Sequence, residues 1–110
     1  NMATMLAFVL TDAPIDVADL SALAPVSADR SFNCISVEGH TSTNDSLIFL
    51  ANGQGTPLKG EALERFRTAA IEVCAELARD MASDAEGASH LVTIEVVGTR
   101  TDAEAHRIAK

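Results

Sequence analysis

Residues 61–82, EALERFRTAAIEVCAELARDMA, read as one amphipathic helix. Leu63, Phe66, Ala70, Val73 or Cys74, Leu77 and Met81 recur at steps of three and four, so they form one apolar stripe. Glu64, Arg65, Arg67, Glu72, Glu76, Arg79 and Asp80 fill the other face. Such a stripe must be buried against another element, and the short apolar runs around it are the candidates.

Downstream, Asp84 to Gly87 break the helical pattern. Residues 91–97, LVTIEVV, place Val92, Ile94 and Val96 on one face of a strand, with Leu91, Thr93, Glu95 and Val97 opposite. Thr101 or Asp102 starts a last helix. Upstream, residues 46–51 and 31–37 are strand candidates. The polar stretch between them, residues 38–45 (EGHTSTND), reads as a turn or a functional loop, and residues 52–57 (NGQGTP) as a second loop. Residues 4–10, TMLAFVL, are a strand too short for a helix, stopped by TDAP at 11–14. Asp16 caps a short helix over 17–24, with Val17, Leu20 and Leu23 on one face and Pro25 ending it. The order β-α-β-β-α-β-α predicts an α+β domain. Its sheet is expected to be mixed or antiparallel, with helices packed on one face as a two-layer sandwich.

The chain has 110 residues, which suits one domain with one core. Lys plus Arg is 8 and Asp plus Glu is 16, so the net charge is 8 − 16 = −8. An acidic chain without a basic cluster argues against a nucleic-acid or anionic-membrane surface. The longest apolar run, around Met5 to Leu10, is far short of the ~20 residues of a membrane span. Cys34 and Cys74 are too few for a disulfide framework or a thiolate metal site, and read as buried small hydrophobes in a reducing cytosol. His40, His90 and His106 are scattered, and no pair has metal-ligand spacing. They read as solvent-facing. There is no phosphate-binding glycine loop and no Gly-x-Ser-x-Gly elbow. The chain opens Asn1-Met2-Ala3 and stops inside a helical pattern, which reads as part of a longer protein.

Three stretches carry a resemblance. Residues 1–13, NMATMLAFVLTDA, closely resemble the self-cleavage segment of the ornithine acetyltransferase (glutamate N-acetyltransferase) family, whose members are made as one precursor and split into two subunits. Ser31-Phe32-Asn33-Cys34-Ile35-Ser36-Val37 with Gly39, then Ser42-Thr43-Asn44-Asp45-Ser46, look like that family's second block. Glu86-Gly87-Ala88, followed by a strand and a helix ending Ile108-Ala109-Lys110, resembles its substrate-carboxylate segment. The chain departs from the pattern at His40, where an acidic or small residue is expected.

The resemblance implies a cut between Ala3 and Thr4. Residues 1–3 would then end the first subunit, and 4–110 would be the N-terminal half of the second, part of a larger N-terminal-nucleophile-type enzyme. It implies Thr4 as nucleophile, with its own freed amine as base, and Thr4 and Glu86 as substrate-binding residues. The oxyanion hole and a substrate lysine would come from the rest of the first subunit. It implies acetyl transfer from N-acetylornithine to glutamate, with acetyl-CoA as a possible second donor. It further implies a partner subunit, an assembly of two plus two subunits, no cofactor, no metal, and a cytoplasmic place in arginine biosynthesis. A self-processed threonine amidase or aminopeptidase is the alternative enzyme, and a non-catalytic fragment is the alternative from another class.

Chemistry makes Thr4 a sensible choice. A threonine hydroxyl is a poor nucleophile until a base takes its proton. An α-amine has a reference pKa of about 7.7–8, near working pH, whereas an amide nitrogen cannot serve. Cutting Ala3-Thr4 therefore creates the base. Glu86 offers a carboxylate that can pair with a substrate ammonium. Asp84 offers the same chemistry, so the choice of Glu86 rests on the motif.

Overall fold

Burial decides which residues of the long helix face inward. The computed structural model describes residues 5–36, 39 and 42–110. Ala3, Thr4 and His40, singled out in the sequence, lie outside the described residues. The elements run β1 (Leu6–Thr11), α1 (Val17–Asp29), a 3-10 turn (Phe32–Cys34), β2 (Ser46–Ala51), α2 (Gly60–Ser83) and α3 (Asp102–Ala109). On α2 the buried positions are Leu63, Ala70, Cys74 and Ala78. Cys74 therefore takes the place that periodicity left open between it and Val73. Leu77 is 37% exposed, and Ala78 is buried in its stead. Small side chains at 70, 74 and 78 let the helix backbone approach its neighbours closely.

That surface meets a parallel pair. β1 and β2 run in one direction, in register from Leu6 opposite Ser46 to Thr11 opposite Ala51. Parallel strands need a crossover, and α1 with the 3-10 turn supplies it. Side chains alternate across the sheet. Met5 and Ala7 join Phe32, Cys74 and Ala78 in the core, with Val9, Ile35, Leu47, Phe49 and Met81 packed around them. The opposite face carries Leu6, Phe8, Leu10, Ile48 and Leu50, all exposed.

The α+β class stands, with helices against one face of a small sheet. Several element boundaries differ from expectation. β1 begins at Leu6, not at residue 4. α1 continues through Pro25 to Asp29. The proline removes one helical bond, but the buried Leu23 and Ser27 hold the turns on either side in place. Asp16 does occupy the N-cap position, yet its side chain makes no cap bond. It bonds Lys59 instead, at 2.6 Å. Arg67 of α2 reaches Asp19 of α1 at 2.9 Å, so charge as well as packing aligns the two helices.

Residues 31–36 do not form the expected strand. The Cys34 N–H donates to the Ser31 carbonyl and the Ile35 N–H to the Phe32 carbonyl, so the donors a ladder needs are spent locally. Residues 91–97 are also not a strand. Among the described residues no strand lies beside them, and Leu91, Val92, Ile94 and Val97 are exposed. A β pattern yields a strand only where a neighbour offers its backbone groups. The sheet of the described residues is thus a parallel pair and not a mixed or antiparallel array.

α3 begins as expected at Thr101, whose hydroxyl accepts from the Glu104 N–H at 3.2 Å. The Glu104 carboxylate accepts from the side chain and the backbone N–H of Arg100, which holds its pKa below the usual glutamate value. Because the folded pKa is the lower one, this contribution is complete above the ordinary glutamate pKa and is lost as pH falls through the folded value. The protection factors of the α3 amides, with the intrinsic pH dependence of exchange divided out, should therefore fall on acidification through that range, and Glu104→Gln should remove that fall. In the core, Ala78→Leu should destabilise by about 1–3 kcal/mol through overpacking, read as a lower urea midpoint at constant slope. The half-exposed Val73, changed to Ala, should leave the midpoint nearly in place.

Candidate active site

The Ser46 N–H donates to the Met5 carbonyl at 2.8 Å, the bond that opens the Leu6–Ser46 end of the parallel pair. Just before it, the Ser42 hydroxyl donates to the Asp45 carboxylate (Oδ1) at 2.7 Å and closes the loop that enters β2. At the other end of the pair the Asn52 N–H donates to the Thr11 carbonyl at 3.3 Å. The β1 strand is therefore fixed at both ends by its partner.

Ala3 and Thr4 lie outside the described residues. Glu86 is described. It is exposed and sits in the tight turn after α2, where the Ala88 N–H donates to the Ala85 carbonyl at 2.9 Å. Gly87 follows with φ +78°, a conformation that a residue with a Cβ adopts only under strain. This is why the Glu-Gly pair can make the turn.

The course of α2 decides where that turn goes. Its first residues lie by the far end of β1, because Lys59 bonds Asp16 and the Leu58 N–H donates to the Pro14 carbonyl. Its last turns pack Ala78 and Met81 against the cluster that contains Met5. α2 thus starts beside the loop that follows β1, and the turn with Glu86 follows its other end.

Two clefts lie elsewhere. One of about 300 Å³ is lined by Arg30, Ser31, Ile35 and Arg79 among others, and one of about 190 Å³ by Asn33, His106 and Lys110 among others. They share Cys34, Ser36, Val92 and Ile94, so the extended segment 91–97 forms a wall of both. Neither lining includes Glu86 or Asp45. Among the described residues there is no group of three or more His, Cys, Asp or Glu side chains placed to hold a metal ion. Among the described residues no helix is long and apolar enough to cross a membrane.

The cysteines separate. Cys74 is fully buried, as expected, and burial pushes its thiol pKa up, with the Ser27 hydroxyl beside it opposing the shift. Cys34 is exposed, against expectation, because the 3-10 turn directs it outward to the clefts, where its thiol donates to the Asp29 carbonyl at 3.3 Å.

The profile of the ArgJ family matches residues 1–110. The Arginine biosynthesis bifunctional protein ArgJ of Desulfotalea psychrophila is 45% identical over 114 residues, covering 100% of this chain and 29% of the relative. ArgJ 1 of Nostoc is 48% identical, covering 100% and 28%. Glutamate N-acetyltransferase Oat2 of Streptomyces clavuligerus is 42% identical, covering 100% and 27%. The crystal structure of the bifunctional ArgJ protein of Bacillus halodurans superposes with a TM-score of 0.86 at 37% identity, covering 94% of this chain and 51% of that one. The chain therefore spans under a third of the length of these curated relatives.

The burial difference gives a direct check. A thiol reagent should modify Cys34 in the folded protein and reach Cys74 only on denaturation, since the thiolate is the reactive form and Cys74 is both shielded and harder to ionise. Equal labelling of the two in native conditions would contradict the packing of α2 on β1.

Proposed function

The chain belongs to the ArgJ family, and on that premise we propose that the whole protein moves an acetyl group from N2-acetyl-L-ornithine to L-glutamate through an acetyl-Thr4 intermediate. The observation that carries this reading is the residue pattern around Thr4, in a chain matched by the family over its entire length. The relative named glutamate N-acetyltransferase, aligned along all of the chain, supports the reaction class.

Maturation comes first. The Thr4 hydroxyl oxygen attacks the Ala3 carbonyl carbon, the new C–O bond replaces the C–N bond, and the Thr4 nitrogen takes the hydroxyl proton. Water then hydrolyses the ester, which frees the Ala3 carboxylate and leaves Thr4 with a free amine and a free hydroxyl. The small side chain of Ala3 leaves its carbonyl approachable.

Transfer follows the same pattern twice. The Thr4 oxygen attacks the acetyl carbonyl of acetylornithine while the Thr4 amine takes its proton. The resulting ammonium gives that proton to the departing ornithine nitrogen. The glutamate amine then attacks the acetyl ester and restores the Thr4 hydroxyl. One nucleophile serving donor and acceptor in turn is a double displacement. Donors contributed by the remainder of the protein hold the tetrahedral oxyanion, each worth about 3–4 kcal/mol. Glu86, in its turn at the end of α2, pairs with the cationic side chain of ornithine. The working assembly is two copies of each subunit in the cytoplasm.

In the precursor, Thr4→Ala should remain a single band on a denaturing gel and show no transfer. Thr4→Ser should retain part of the cleavage, because hydroxyl and amine both survive. Normal processing of the Ala variant would remove Thr4 from the mechanism. Glu86→Gln should mature normally and raise KM for acetylornithine about tenfold or more, the loss of one charge-assisted hydrogen bond. An unchanged KM would remove Glu86 from the substrate site.

A further inference from the structure

The larger of the two clefts beside segment 91–97 is lined by two guanidiniums and by no carboxylate. It lies where α1 and α2 end together. Ser27 of α1 stands beside Cys74 of α2. Arg30 follows Ser27 by about one helical turn, and Arg79 follows Cys74 by about one and a half. Both arginines therefore reach the same cleft of about 300 Å³. Lys59, Arg65, Arg67 and Arg100 each pair with a carboxylate. Among the described residues neither Arg30 nor Arg79 does. The acids next to them in sequence, Asp29 and Asp80, are not part of the lining, and Asp29 accepts from the Asn33 amide at 2.7 Å. In a chain with 16 acidic and 8 basic residues, such a lining runs against the composition.

The other polar groups of the lining divide in two. The Ser31 hydroxyl donates to the Ser27 carbonyl and the Cys34 thiol to the Asp29 carbonyl, so both are spent on the chain itself. The guanidiniums keep five N–H donors each for something else. The rest of the lining is apolar: Ala75, Ala78 and Ala82 line one face of α2, and Ile35 and Ile94 close the sides. We propose that this cleft binds a small aliphatic carboxylate. Arg30 and Arg79 hold the carboxylate through charge-assisted N–H donors, and the aliphatic body lies on the alanine face. A wholly polar anion such as phosphate would leave that face wet and gain nothing from it, and the volume is at the small end of ligand sites. Thr4 has no part in this binding.

The exposed thiol of Cys34, on the same lining, is the reporter. In the whole protein, a thiol reagent labels Cys34, located by peptide mass spectrometry, and butyrate is added at constant ionic strength. Butyrate should slow the labelling several-fold and saturably. Butyramide, of the same shape without the charge, should not. Arg30→Gln and Arg79→Gln should each weaken the protection about tenfold, the loss of one charge-assisted interaction, and leave the melting temperature in place because both side chains are exposed. Thr4→Ala should keep the protection, so a failure of the proposed transfer chemistry leaves this site standing. Undiminished protection in both Gln variants overturns the proposal. So does equal protection by butyramide, which removes the role of charge, or by inorganic phosphate, which reduces the cleft to an unselective basic patch. A Cys34 that does not react in the whole protein without butyrate overturns it too, since the cleft is then filled by the protein itself.

Discussion

The contact between the small-residue stripe of α2 and the inward face of β1 governs this fold. Cys74 and Ala78 sit against Met5, Ala7 and Phe32, and each of these five is almost fully withdrawn from water. A two-stranded parallel sheet has little stability of its own and needs a helix to cover it. It seats β1 beside β2, and it sets the course of α2, which the turn with Glu86 follows.

Two of the clefts among the described residues lie beside segment 91–97, and neither lining includes Glu86. The other face of the sheet presents a row of large apolar side chains to solvent. Such a row is an apolar patch of the kind that other protein surface covers.

Much of the architecture was legible because periodicity reports burial. The long helix, the two flanking strands at 6–11 and 46–51 and the capped start of α3 all follow from side-chain spacing and one threonine. What failed to follow depends on partners. Residues 91–97 have strand composition but no neighbour among the described residues, and residues 31–36 satisfy their backbone locally. Pro25 reads as a stop, yet packing on α2 carries the helix past it. The choice of Cys74 over Val73 is likewise a tertiary fact. For the site, Thr4 and Glu86 came from motif resemblance, since a threonine at a strand start and one acidic residue among 16 have no distinguishing pattern of their own.

The central claim is that one hydroxyl and the adjacent nitrogen become free together and that the oxygen then carries the acyl group. The most direct measurement is to quench the processed enzyme during turnover with isotopically labelled acetylornithine and map the label by peptide mass spectrometry. The account predicts one labelled acetyl, as an ester on Thr4 at the amino terminus of its subunit, discharged on adding glutamate. Label on another side chain, or none on the protein while transfer proceeds, would contradict it.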